Sequence, residues 1–274
     1  MLKIENVVTP SPEQWRSVIM GARNPMNSWD RSDSEFEEHC LENWPHDIVT
    51  TFENLGSNDH DLMMRLRNAG TDHRKFMRML TVIVTITAPL YWWKEYDTYK
   101  VATVANSCST MHKIHAKEFT LEDFSCEHLM SYDNSNYWEE DDDDACFIEN
   151  KVDGKRCQVI TPKFMIEEFI IPMLNTAREK YIETKDKKFW WQMIQLLPSS
   201  YNQKRTVMLN YEVLANIYKS RRNHKLDEWA EHSSSIPDST SQALYSKDLP
   251  FGFCDWIKTL PYSELITGDE EHEV

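Results

Sequence analysis

Hydrophobic and polar positions alternate most regularly in Thr81-Val82-Ile83-Val84-Thr85-Ile86-Thr87, where Val82, Val84 and Ile86 share one face and three threonines the other. That β-branched alternation predicts a strand. Pro89 then suits the first turn of a helix from Leu90 to about Tyr99 that carries Tyr91, Trp92, Trp93 and Tyr96. Upstream, Leu62, Met63, Leu66 and Arg67 recur as on a short helix ending near Gly70, with Thr71 or Asp72 placed to cap the next one. After Pro162 a long helical pattern runs through Phe164, Phe169, Ile170, Leu174, Ala177 and Tyr181, and Pro172 in its interior predicts a kink. The clearest helical pattern spans Gln203 to Arg222. A serine-rich polar loop from His232 to Asp248 leads to a short helix over Phe253 to Thr259. Residues 1–60 mix Pro10, Pro12, Pro25 and Pro45 with acidic clusters such as Glu35-Phe36-Glu37-Glu38, which reads as short helices and loops without a strong period. No internal repeat is visible.

Composition narrows the classes of function. The 274 residues are 41% hydrophobic and 12% aromatic, enough for a substantial buried core. With 30 Lys and Arg against 45 Asp and Glu, the formal charge of −15 repels phosphate backbones and anionic membrane surfaces. No bulk nucleic-acid binding is expected. The six glycines lack the spacing of a phosphate-cradling loop, which excludes the G-x-G-x-x-G and P-loop fingerprints. The longest uncharged stretch, Met79 to Trp93, falls short of the ~20 residues of a membrane span, so no membrane anchor is expected. Met-Leu-Lys-Ile-Glu-Asn shows no secretory signal, and a cytoplasmic location follows as the expectation. The six cysteines form no C-x-x-C pair and read as free thiols.

Three features raise the question of metal or nucleophile chemistry. The run Glu139-Glu140-Asp141-Asp142-Asp143-Asp144 lies in a segment, 131–156, that reads as an exposed insertion or hairpin tip. Consecutive carboxylates lack the alternating ligands and turn glycine of a calcium loop. His112 and His115 lie three apart, with His73 and His224 elsewhere, so a zinc site would need ligands converging from a distance; no metal site is expected. No G-x-S-x-G elbow supports a serine nucleophile.

The tryptophan pairs Trp92-Trp93 and Trp190-Trp191 sit about 100° apart on a helix, so one of each pair can face the core and the other a cavity or subunit contact. Asn210, Leu214, Ile217 and Arg221 fall at i, i+4, i+7 and i+11, a stripe that is apolar in the middle and hydrogen-bonding at both ends. Such a stripe suits a large planar ligand with polar edges. From the pattern alone it suits still better a buried stripe whose Asn caps and whose Arg snorkels at the rim.

Leu197-Pro198-Ser199-Ser200-Tyr201, followed by Asn210, Glu212, Asn216, Arg221 and Trp229, resembles the C-terminal core of the flavin-dependent thymidylate synthases. In that family a Leu-Pro turn precedes a helix carrying Asn, Arg, His or Asn, and Arg at these intervals. The register holds without a gap from Leu197 to Arg221, with Glu212 where the family has its first arginine. Ala88-Pro89-Leu90-Tyr91 is similar to the start of the helix that leads into the signature Arg-His-Arg-x-x-Ser and then Ser-x-Arg-Tyr. Those positions read Thr98-Tyr99-Lys100-Val101-Ala102-Thr103 here, and Ser109-Thr110-Met111-His112.

The resemblance implies an α+β fold, an antiparallel or mixed sheet flanked by long helices, in a homo-oligomer. It covers about residues 70–125 and 163–262, and divides the chain into an N-terminal extension (1–60), a synthase-like domain (61–262) with the acidic insertion, and an acidic tail (263–274). It further implies a pyrimidine nucleotide as partner and FAD as cofactor, with reductive methylation of dUMP or a related substrate, NADPH and methylenetetrahydrofolate being co-substrates. Carried over by position, Arg221 is the catalytic and substrate-binding arginine, Glu95 and Ser109 bind substrate, and Lys100, Asn210 and Asn216 lie on the flavin side. A guanidinium against a pyrimidine carbonyl stabilises the negative charge that develops as C5 becomes nucleophilic. At the phosphate site the resemblance implies two lost arginines, replaced by Met111 and Ile194, besides those at Thr98, Lys100 and Glu212. Each such loss removes a charge-assisted contact of about 1.5–3 kcal/mol, so nucleotide affinity would fall by roughly 10² to 10⁴. The alternative is therefore a catalytically inactive nucleotide-binding or assembly protein on the same scaffold.

Overall fold

The computed structural model describes residues 2–40, 48–131, 148–152, 155–232 and 251–268. The acidic run 139–144, most of the serine-rich loop and the end of the acidic tail lie outside the described residues. In chain order the elements are β1 (Lys3–Val8), α1 (Pro12–Arg23), β2 (Glu35–Cys40), β3 (Ile48–Asn54), α2 (Ser57–Asn68), β4 (Thr81–Pro89), α3 (Leu90–Tyr96) and β5 (Val104–Ser107). There follow β6 (Ile148–Val152), β7 (Lys155–Ile160), α4 (Pro162–Met165), α5 (Ile171–Thr184), α6 (Lys187–Leu196), β8 (Asn202–Asn210), α7 (Tyr211–Arg221), α8 (Phe253–Lys258) and α9 (Glu264–Thr267). The fold is α+β. One four-stranded sheet has the order β1-β4-β8-β5, and β2-β3 and β6-β7 are separate antiparallel pairs.

The chain forms two compact units. The first comprises residues 87–95 and 107–204, the second residues 2–86, 96–106 and 205–274. In the first unit, Ile114, Phe119, Phe124, Leu174, Ala177 and Met193 form a core under the α5-α6 pair. Residues 166–170 make a π-turn between α4 and α5, one residue before the first turn of α5 reaches Pro172. Pro172 has no N–H to give the carbonyl four residues back, and the widened turn absorbs that loss where the sequence predicts a kink. Trp92 and Trp93 are both fully buried and meet edge to face at 4.9 Å, so neither lines an open cavity. Trp93 Nε1 donates to the Gln203 carbonyl at 2.9 Å. The second pair does divide its roles: Trp191 is exposed, whereas Trp190 donates to the Met111 carbonyl at 2.9 Å.

In the second unit, Trp15 stacks on Phe52 and meets Tyr211 and Tyr262 edge to face. Val82 and Val84 of β4 are buried and Ile83 is exposed, as the alternation requires. Residues 1–60 hold more regular structure than their prolines and acids suggest. Ser11 accepts from the Gln14 amide and Pro12 opens α1, whose Trp15, Val18, Ile19 and Ala22 recur on one buried face. The helix after Pro89 ends at Tyr96 rather than Tyr99, and Pro89 closes β4 rather than opening the helix. Neither Thr71 nor Asp72 caps the 3₁₀ turn Arg74–Arg78, which starts from His73 without a side-chain cap.

The main correction concerns 202–210. This segment is strand β8, and the helix begins only at Tyr211. Gln203, Val207 and Leu209 alternate as buried positions with Lys204 and Thr206 exposed, a period of two that the helical pattern overlooks. No described helix is long and apolar enough to cross a membrane. Cys108, Cys126 and Cys254 are free, and burial pushes the Cys254 thiol up to about 12.

Candidate functional site

Helix α7 organises the candidate residues of the second unit. Asn210 ends β8 in an extended conformation and caps α7: its Oδ1 accepts from the Val213 amide at 3.0 Å. Its Nδ2 donates to the carbonyls of Val101 and Ala102 at 3.3 and 3.4 Å. Eleven residues later, Arg221 sits in the last turn, where a cation complements the helix dipole. Arg221 is half-buried; its Nε donates to the Tyr99 hydroxyl at 2.9 Å, and its guanidinium lies 5.7 Å from the Tyr99 ring centre and 5.5 Å from that of Trp229. Trp229 is fully buried against Phe253. Segment 99–102 therefore contacts both ends of α7, through the Tyr99 hydroxyl at Arg221 and the Val101 and Ala102 carbonyls at Asn210. Thr103 steadies it by donating to the Tyr99 carbonyl at 3.0 Å.

Asn216 points elsewhere. Its Oδ1 accepts from Arg74 Nη2 at 3.1 Å, and Arg74 and Arg78 both grip the buried Glu212. Burial by itself would raise the Glu212 carboxyl, but the hydrogen bonds from Arg78 and Arg74 outweigh it and hold the group below the usual carboxylate range. Thus the position where the resemblance replaces an arginine by an acid gathers two arginines from a neighbouring turn, and the cluster keeps one net positive charge. Sequence reasoning missed Arg74 and Arg78. They lie more than 130 residues before Glu212, and no local pattern links them to it.

The other candidates are placed as follows. Lys100 is exposed in the second unit. Glu95, half-buried on α3, and Ser109, exposed, belong to the first unit. The Ser109 hydroxyl accepts from the His112 amide at 2.8 Å. Met111 is exposed, and Ile194 packs against the Ile114–Met193 core of the first unit, so position 194 serves packing. Among the described residues, no three His, Cys, Asp or Glu side chains gather as a metal site.

The two asparagines assigned to the flavin side are hydrogen-bonded within the chain. Asn210 is 1% exposed and its amide is committed to the cap and to two carbonyls, while the Asn216 oxygen is committed to Arg74. Lys100 is open but is a single flexible cation.

No family model matches the chain, and no curated protein matches it. Among solved structures it is similar to thymidylate synthase X (ThyX) from Helicobacter pylori with FAD and dUMP, at 13% identity over 82% of this chain and 84% of that one, with a TM-score of 0.46. A second structure of the flavin-dependent enzyme from the same organism, complexed with FAD and dUMP, gives 13% identity over 82% and 85% of the two chains and a TM-score of 0.47.

Proposed function

We propose that the chain binds a pyrimidine nucleotide of the dUMP type at the C-terminal end of α7, with Arg221 against the base. The observation that carries this reading is the seat of Arg221, held by the Tyr99 hydroxyl and by the faces of Tyr99 and Trp229. A guanidinium fixed in this way is pre-organised, and its partial withdrawal from water strengthens its attraction for a carbonyl dipole. The ungapped register from Leu197 to Arg221 supports the same assignment.

The reading has two forms. In one, the protein is a divergent reductive methyltransferase, FAD with NADPH and methylenetetrahydrofolate supplying the hydride and the carbon. In the other, it is a catalytically silent nucleotide-binding or assembly protein that forms a homo-oligomer. The commitments of Asn210 and Asn216, together with the packing of Ile194, favour the silent form. The expected result is that purified protein incubated with FAD shows no bound flavin absorbance, while dUMP still raises its melting temperature. Turnover of dUMP with methylenetetrahydrofolate and NADPH, abolished by Arg221→Ala, would overturn the silent form in favour of the enzyme.

A further inference from the structure

A polar cavity of about 590 Å³ opens in the second unit, where the end of α1 and the loop after it meet one face of α2. Arg23, Arg31, Arg65, Asn27, Asn58 and Asp30 supply its polar lining, and it shares no lining residue with the α7 site. Most of this part of the chain lies outside the synthase resemblance.

Several arginines of this acidic chain pair with carboxylates, Arg16 with Glu38, Arg74 and Arg78 with Glu212, Arg205 with Asp97, and Arg67 and Arg178 donate to backbone carbonyls. Arg31 and Arg65 differ. Among the described residues neither has an ion-pair partner; the Arg31 guanidinium makes no hydrogen bond, and Arg65 uses only its Nε, on the Asp61 carbonyl at 3.3 Å. Both side chains are exposed on the lining of one cavity, where each planar fork can take two oxygen acceptors from a ligand.

Arg23 builds the wall that carries Arg31. Its Nε meets Asp59 at 2.5 Å, its Nη1 donates to the Ser28 carbonyl at 3.1 Å and its Nη2 to the Arg31 carbonyl at 2.9 Å. Asp59 cancels its charge and also accepts from Ser32 and Ser34. Arg23 is therefore a positioning residue that fixes the backbone of the loop, while Arg31 and Arg65 supply the free charge. A phosphomonoester carries close to two negative charges at neutral pH and three oxygens that can meet both forks, while the Asp30 carboxylate on the same lining can accept from a hydroxyl of the ligand. The volume admits a body of nucleoside size, which Leu62 and Met26 would flank.

We propose that this cavity is a second ligand site, independent of α7, for a small organic phosphate held between Arg31 and Arg65. The test is calorimetric titration of the full chain with ribose 5-phosphate, ribose being the uncharged control. Saturable binding of the phosphate, no binding of ribose, a loss of about tenfold to hundredfold in affinity in each of Arg31→Ala and Arg65→Ala, and unchanged binding in Arg221→Ala are expected. Both substituted side chains are exposed, so the variants keep the wild-type melting temperature, which is checked alongside. Absence of binding at millimolar concentration, equal binding by the double variant, or a matching loss in Arg221→Ala would overturn the proposal.

Discussion

The carboxylate of Asp59, 1% exposed, accepts from Arg23, from the hydroxyls of Ser32 and Ser34 and from the amides of Asp33 and Ser34. Burial would raise its pKa, but the Ser34 and Ser32 hydrogen bonds and the Arg23 guanidinium more than offset that and leave it lowered. The sign follows from linkage: a depressed carboxyl contributes stability above its unfolded pKa of about 3.9, and that contribution disappears as pH falls through the folded value. Acid titration of stability is therefore steeper below about pH 4 in the wild type than in Asp59→Asn. The substitution also leaves Arg23 buried without its counter-charge, at a cost of about 3–5 kcal/mol measurable by urea denaturation. None of this cluster was legible in the sequence, because Arg23 and Asp59 are 36 residues apart and nothing in either local pattern marks a charge for burial.

Among the elements, β8 and α7 show how a boundary is lost. The strand passes into the helix without Gly or Pro, and Asn210 is the only punctuation, so two periods merge into one apparent helix. Asn210 was read both as a ligand contact and as a cap, and its amide does cap α7 and holds the carbonyls of Val101 and Ala102. Asn210→Ala is expected to cost about 1–2 kcal/mol of stability, whereas Asn210→Asp, which keeps the capping oxygen, loses less; denaturant midpoints distinguish them. Strand β4 was legible because Val82, Val84 and Ile86 are all buried on the face their alternation predicts, although Thr85 is buried as well. Helix α1 carried a sound signal in Trp15, Val18, Ile19 and Ala22, but the surrounding prolines and acids masked it. At the entry to α8, a Cβ on Gly252 would collide with the carbonyl oxygen of Ala230, which is backbone and cannot yield cheaply. Gly252→Ala is accordingly expected to lower stability by about 1–3 kcal/mol in a thermal melt.

For the whole molecule, the α+β class was readable, whereas strand β8 and the convergence of Arg74 and Arg78 on Glu212 were not. A linear motif fixes spacing within one element, but the charges that surround it come from turns over a hundred residues away. The same distinction separates the two proposed sites: Arg221 was picked out by register, the Arg31 and Arg65 cavity only by which charges the fold leaves unpaired. Association into a homo-oligomer, expected from the resemblance, is checked by light scattering across a concentration series.

The most direct test of the central claim is a thermal-shift titration with dUMP on wild type, Arg221→Ala and Arg221→Lys. The account predicts a dose-dependent rise for the wild type that Arg221→Ala abolishes and that Arg221→Lys, keeping the charge without the fork, retains only in part. A wild type indifferent to dUMP, or an Arg221→Ala variant stabilised to the same extent, would contradict it.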